Sequence, residues 1–294
     1  MSPVFYDMPL YRPPSEGYNL IIQATLGCSS NHCTFCSMYK TKTYQARPLD
    51  QVFDDIDAAA RDWPDAHRVF LADGDALTLP MDDLRAILDK LAATFPKLAR
   101  VSAYATPKNL IDKSIDELKE LKQRKLSLVY MGIESGSTAV LKRIIKGASQ
   151  RTHGMALARA REAGLKVSAT VILGLGGRKD WRRHIEGTAE LINSTPPNYL
   201  STLQLGLADN VVDEFMAGQD ADFEMQDDTG ILAEQDYLLT LLDPPKPVIF
   251  RSNHASNCLP LAGNLPKDAD RLRHEIAAAM AGQRQLRPAY SRNL

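Results

Sequence analysis

The sequence predicts the α/β class: a partial (β/α)6 TIM-like barrel of parallel strands with a short C-terminal strand-helix extension. Three observations predict it. Short apolar runs alternate with amphipathic stretches six times between residues 18 and 205. Helix-boundary signals punctuate that alternation: Ser114 stands three residues before Glu117, and Gly164 follows the amphipathic stretch 151–163. With 294 residues, 44% of them hydrophobic, the chain can also bury a large core. Strand-helix alternation implies parallel strands joined by helical crossovers. A doubly wound open sheet is the competing architecture.

In chain order, residues 18–25 (YNLIIQAT) read as a buried first strand, and residues 49–61 as a helix with Val52, Ile56, Ala59 and Ala60 on one side. Residues 68–72 (RVFLA) form the second strand, followed by a helix from Met81 through Leu84, Ile87, Leu88 and Leu91. Residues 101–105 are the third strand, before the helix capped by Ser114. Residues 126–131 are the fourth, followed by helices from Ser137 and over 151–163. Residues 166–173 (KVSATVIL) are the fifth, followed by a helix over 180–193, and residues 199–205 are the sixth. After Leu207 the rhythm breaks. Residues 217–230 are acidic and read as an exposed loop, 230–242 as a helix, and Pro244, Pro245 and Pro247 as a rigid connection. A strand over 248–251 and a helix over 267–280 follow. The expected organisation is an N-terminal extension (1–17), a core barrel (18–207) and a C-terminal extension (208–294) that closes the barrel and contributes to a substrate site.

The net charge is −1, from 35 basic and 36 acidic residues, which gives no long-range attraction for nucleic acid or anionic lipid. Residues 1–17 hold Pro3, Pro9, Pro13 and Pro14 and lack the basic start and apolar run of a signal peptide. No stretch approaches the roughly 18 apolar residues of a membrane helix. A cytoplasmic protein without membrane attachment is expected. Cysteines in that compartment stay reduced, so three of the four falling within nine residues point to metal or catalysis. Cys258 stands apart and reads as a small buried apolar residue.

The first strand runs into Gly27-Cys28-Ser29-Ser30-Asn31-His32-Cys33-Thr34-Phe35-Cys36. Such spacing can bring three thiolates to three corners of an iron-sulfur cube and leaves one iron open for another ligand, as a catalytic site requires. The alternative is a zinc site completed by His32 or a distant residue, although no second CxxC pair is present.

Three cysteines behind the first strand, with an aromatic residue just before the last, resemble the radical S-adenosylmethionine (AdoMet) superfamily. Its usual spacing is three residues then two; here it is four then two. The resemblance implies a [4Fe-4S] cluster on Cys28, Cys33 and Cys36 whose open iron chelates AdoMet. It implies an electron from a donor such as flavodoxin or ferredoxin, cleavage to a 5′-deoxyadenosyl radical, and hydrogen abstraction from a substrate. Phe35 would then pack near the adenine. Behind the second strand, Asp73-Gly74-Asp75 is similar to the family's Gly-Gly-Glu segment, whose backbone meets the AdoMet ammonium; on its residues alone it is equally a glycine turn with solvated acids. The run Gly132-Ile133-Glu134-Ser135-Gly136-Ser137, continued by Leu141 to Gly147, resembles a segment of the oxygen-independent coproporphyrinogen oxidases and of elongator-type and methylthiotransferase radical domains. By that likeness Glu134 would hydrogen-bond the ribose and Lys146 would pair with the AdoMet carboxylate. Taken alone, Lys146 reads as a solvated helix-end cation. Tyr104, Thr170 and Ile172 correspond in place to ribose and adenine contacts of relatives, and would otherwise be core or barrel-lining residues. Gly174, Gly176 and Gly177 do not make a dinucleotide motif, because Lys179 occupies the third glycine position.

The substrate side is read from Arg251, Asn253 and His254, in a polar run that ends at Cys258. In a barrel closing near this strand the run would face a small polar molecule; otherwise its side chains satisfy their own backbone. No cobalamin domain and no second three-cysteine motif is read within these residues, which favours hydrogen abstraction over methylthiolation or cobalamin-dependent methylation. Two other readings are a zinc-stabilised binding module and an RNA-modifying enzyme using Arg271, Arg273, Arg284, Arg287 and Arg292, the second opposed by the charge balance.

Overall fold

The structure, a computed structural model, describes residues 4–292. The chain divides into two compact units. The first holds the described residues up to Asn31, with 38–131 and 158–167; the second holds 32–37, 132–157 and the described residues from Ser168 onward.

In the first unit, β1 (Leu20–Gln23) leads into β2 (Thr25–Leu26), which pairs antiparallel with β3 (Gln45–Ala46). Then come α1 (Leu49–Asp62), β4 (Arg68–Ala72), α2 (Met81–Thr94), β5 (Arg100–Tyr104), α3 (Pro107–Asp112), α4 (Ile115–Gln123) and the start of β6 (Leu126–Glu134). β1, β4, β5 and β6 pair in parallel in that order, with Ile22 opposite Leu71, Val69 opposite Val101 and Ala103 opposite Val129. All four residues of β1 are buried, as the unbroken apolar run of a parallel strand covered on both faces requires. Val52, Ile56 and Ala59 put one stripe of α1 into the core. Two helices follow β5 where one was expected. Pro107 opens α3 behind a Thr106–Asn109 capping box, and the expected Ser114–Glu117 box opens α4.

The second unit holds the end of β6, α5 (Thr138–Arg143), most of α6 (Gln150–Glu162) and most of β7 (Lys166–Leu173). It continues with α7 (Gly177–Ser194), β8 (Tyr199–Gln204), α8 (Val212–Ala217), α9 (Asp228–Leu241), β9 (Val248–Ser252), β10 (Leu261–Leu265) and α10 (Ala269–Met280). β7, β8 and β9 are parallel neighbours, and β10 is antiparallel to β9. Along β7, Val167, Ala169, Val171 and Leu173 are buried while Ser168, Thr170 and Ile172 keep partial exposure on the other face.

Mostly parallel strands alternating with helices give the α/β class that the sequence predicts. The region after Leu207 is richer than the one strand and two helices read there. β9 continues the parallel pairing, and β10 lies beyond it. β10 escapes a pattern reading because Gly263 and Asn264 sit inside it, and both residue types are depleted in strands. Among the described residues no helix is long and apolar enough to cross a membrane.

Candidate cofactor site

In the first unit the cysteine loop is fastened to the segment behind β4. Gly27, with φ of 69°, donates its N–H to Asp73 Oδ2 at 2.9 Å. Asp73 also accepts from Gln23 Nε2 at 3.1 Å and from Lys42 Nζ at 3.0 Å. Ser29 donates to Asp75 through its N–H at 3.0 Å and through its hydroxyl, and Thr78 Oγ1 donates to the same carboxylate at 2.7 Å. Both acids are completely buried, so the reading of a turn with solvated acids does not describe this segment. Their carboxylates hold the loop, and what the segment presents to Cys28 is backbone. A Cβ on Gly74 would stand 2.7 Å from Cys28 Cβ, closer than such atoms approach. Tyr104 is half-buried, edge-on to Phe70 at 5.1 Å and to Tyr130 at 6.2 Å between ring centroids.

In the second unit Cys33 and Cys36 flank Thr34, whose N–H donates to Ile144 O at 3.1 Å. Phe35 and Ile172, both expected to touch AdoMet, pack against one apolar cluster that includes Leu141, Ile144, Leu175 and Phe215. Glu134 ends β6 in the left-handed region, with φ of 63°, a conformation that costs a non-glycine residue of order 1–3 kcal/mol. Its Oε1 accepts from Lys146 Nζ at 2.7 Å. Gly132 makes space for that pair, since a Cβ there would lie 1.9 Å from Glu134 Oε1 and 2.9 Å from Lys146 Nζ. Burial works against the Lys146 ammonium. The charges of Glu134, Cys33 and Cys36, with the Glu134 hydrogen bond, outweigh it and hold the pKa above the usual lysine range. The side chain is only 15% exposed, so Lys146 is not a solvated helix-end cation.

Several residues that sequence reasoning passed over support this segment. His184 of α7 meets Ser135 Oγ through Nδ1 at 2.7 Å, and Gly136 N–H donates to Thr188 Oγ1 at 2.8 Å. A Cβ on Gly136 would stand 2.1 Å from Gly187 O, so loop and helix meet backbone to backbone. His153 is fully buried; that burial and then the charge of Lys146 push its pKa down to about 4. Burial likewise lowers His184 to about 4. The glycines on either side of Glu134 were the available signal; the distant histidines carried none.

The turn after β9 carries the residues expected to face a substrate. Asn253 is exposed, and His254 is half-buried with Nδ1 accepting the Ser256 N–H at 3.2 Å. The buried place belongs to Asn257. Its Oδ1 accepts from Gln204 N–H at 2.7 Å, and its Nδ2 donates to Thr202 O at 2.7 Å and Ser252 Oγ at 2.8 Å. Arg287 Nη1 donates to the carbonyls of His254, Ala255 and Asn257. Glu234 of α9, also fully buried, accepts from Gly174 N–H at 2.8 Å and Gln226 Nε2 at 3.0 Å; burial pushes its carboxyl up to about 7. Cys258 is buried, and burial raises its thiol to about 11. The remaining four arginines of the RNA reading are engaged: Arg271 and Arg284 with Glu275, Arg273 with Asp236, and Arg292 with Asp228.

None of Cys28, Cys33 and Cys36 is in a disulfide, and each is partly exposed. His32 is exposed. Among the described residues no group of three or more His, Cys, Asp or Glu side chains is arranged to hold a metal ion. The donor set is nonetheless the right one for an iron-sulfur cube: soft thiolates, with a mostly buried ammonium to compensate two of them.

A family model described as the Radical SAM superfamily matches residues 22–192, more than half of the chain. Among curated proteins, a candidate methylthiotransferase of Methanocaldococcus jannaschii is 28% identical over 167 residues, covering 54% of this chain and 36% of its own. The heme chaperone HemW of Bacillus subtilis is 23% identical over 180 residues, covering 59% and 47%. The chain thus spans less than half the length of either relative. Among solved structures, coproporphyrinogen III oxidase from Escherichia coli aligns with a TM-score of 0.58 at 18% identity, over 76% of this chain and 52% of that one. The methyltransferase TsrM from Kitasatospora setae, solved with cobalamin and a [4Fe-4S] cluster, aligns with a TM-score of 0.53 at 17% identity, over 64% and 37%. These likenesses show the fold.

Proposed function

We infer the activity of this chain from what it is: it belongs to the radical SAM superfamily. The family's cofactors are a [4Fe-4S] cluster and AdoMet, and we assign the cluster to Cys28, Cys33 and Cys36. When bound, the cluster would supply the electron for cleavage of the AdoMet sulfonium to methionine and a 5′-deoxyadenosyl radical, which would take a hydrogen atom from a small polar substrate. The chain itself contributes placement and charge. Three protein thiolates leave one iron for AdoMet. Gly74 keeps side-chain bulk away from Cys28, Lys146 offers its ammonium to the AdoMet carboxylate, and Glu134 accepts from the ribose. Phe35 and Ile172 present an apolar edge to the adenine. A donor such as flavodoxin or ferredoxin is the proposed source of the electron.

The observation that carries this reading is Lys146. A buried cation is costly to keep, and this one is held 2.7 Å from Glu134, in the field of two motif cysteines, by a left-handed residue and a missing side chain at Gly132. Anaerobic reconstitution tests it. The protein should bind about four irons per chain and form 5′-deoxyadenosine from AdoMet under a strong reductant. Stoichiometric zinc without iron would sink the reading.

A further inference from the structure

Strand register in the second unit sets three polar side chains in one line. Thr170 of β7 is opposite Ser201 of β8, and Ser201 is opposite Arg251 of β9. All three lie on the face that is not buried: Thr170 and Ser201 are partly exposed, and Arg251 is exposed. Apart from Ser168, which is opposite Tyr199, largely apolar side chains bound the line. Ile172 and Leu203 lie one step toward the C-terminal ends of the strands, and Tyr199 and Ile249 one step the other way.

Apart from Arg251 Nη1, the donors on this line are uncommitted. Among the described residues neither the Thr170 nor the Ser201 hydroxyl makes a hydrogen bond, and no carboxylate pairs with Arg251. Among the described residues Arg251 is held by carbonyls: Nη1 donates to Phe250 O at 2.8 Å and to Gly263 O at 3.4 Å. Those bonds fix the guanidinium and leave Nε and Nη2 to donate elsewhere, so less rotamer freedom is lost when a ligand arrives.

We propose that Arg251 and Ser201 form an anion subsite that takes the carboxylate of a small substrate with an apolar carbon skeleton. This rests on the radical reading above and names its substrate class. One guanidinium between apolar rows balances one negative charge, which suits a carboxylate; a phosphate dianion would leave charge uncompensated among Leu203, Ile249 and Tyr199. The planar fork offers two parallel N–H bonds to a carboxylate, and the Ser201 hydroxyl adds a third donor. Thr170, assigned to the cofactor side, stands two strand spacings from Arg251, roughly 10 Å. A substrate anchored at Arg251 therefore crosses β8 over Leu203 and brings its carbon skeleton toward the β7 edge.

Titration calorimetry on the reconstituted full chain, without AdoMet or reductant, tests the subsite apart from the radical chemistry. The probes are 4-methylpentanoate, its neutral isostere 4-methylpentanamide, and inorganic phosphate. The acid should bind better than the amide, and Arg251→Gln should weaken the acid about ten- to hundredfold, with the amide unaffected. Arg251→Lys should fall between, and Ser201→Ala should cost a few-fold. Melting temperature and iron content of each variant report whether it folds. Equal binding of acid and amide, phosphate binding more tightly than the acid, or acid binding that ignores Arg251→Gln in a folded variant would each overturn the proposal. Failure of the radical reading would show separately, as absence of 5′-deoxyadenosine.

Discussion

Asp73 and Glu134 each stand at the C-terminal end of a parallel strand, both are buried, and both meet a lysine. Asp73 shares its two oxygens among Gly27 N–H, Gln23 and Lys42, so its charge is distributed over the local chain. Among the described residues Glu134 is hydrogen-bonded to Lys146 and holds it from a strained left-handed backbone. An acid shared among several surrounding donors is part of the frame. An acid and a base that face one another across space cleared by a glycine can trade each other for a ligand. The first arrangement protects a loop, and the second fits the cofactor role proposed for Glu134 and Lys146.

The widest break of that comparison comes from the thiols. Replacing Cys28, Cys33 or Cys36 by Ala should abolish iron uptake and all AdoMet cleavage, while Cys258→Ala, at a buried thiol, retains both; iron assay and 5′-deoxyadenosine chromatography decide it. Asp73→Ala should cost about 3–5 kcal/mol of stability, the usual loss when one partner of a buried pair is removed, read by urea denaturation. If it left stability intact and abolished AdoMet binding instead, Asp73 would belong with Glu134. Lys146→Ala should weaken AdoMet binding by about 1.5–3 kcal/mol, or ten- to hundredfold, with the cluster spectrum unchanged. Lys146→Arg should be tolerated better, and an unaltered affinity in Lys146→Ala would make that cation structural.

The pH dependence sharpens the same contrast between frame and site. His153 and His184, lowered by burial to about 4, bind protons in the unfolded chain before they do so in the folded one. Each therefore loses stability as pH falls from about 6.5 toward 4. Glu234, raised to about 7, does the reverse: the folded state holds its proton longer, so stability falls as pH rises from 4.5 to about 7. Two histidines outweigh one glutamate, and net stability should rise between pH 4.5 and 6.5. Glu234→Gln should steepen that rise, and a slope unchanged by the substitution would mean that its carboxyl is ionised in the fold. The smallest expected effect is Asn253→Ala, within about 0.5 kcal/mol as for an exposed side chain, against a clear loss for Asn257→Ala, whose amide closes the turn.

Much of this was legible because the signals are local. The buried run of β1, the α1 stripe and the Ser114 box are each contained in a few consecutive residues, and so is the cysteine loop. Legibility failed where a residue's meaning depends on a distant partner. Nothing in sequence separates Asn253 from Asn257; only the open N–H of Gln204 on β8 decides which amide goes inside. Ser201 looks like any strand serine until register places it beside Arg251. The alternative of solvated acids at 73 and 75 stayed open because the backbone that meets them belongs to the loop at 27–29.

The contact between Gly136 and Gly187 has a consequence for how this chain can drift over time. A methyl group at 136 would penetrate the Gly187 carbonyl, and one at 187 would press on Gly136 at 3.0 Å. A saturation screen should therefore return Gly136 as an almost blank column and Gly187 as a sparse one. Neither residue has a functional group to offer a cofactor. Their invariance in any future set of homologues would record a shared steric ceiling, and counting them as catalytic would mistake a seam for a reagent.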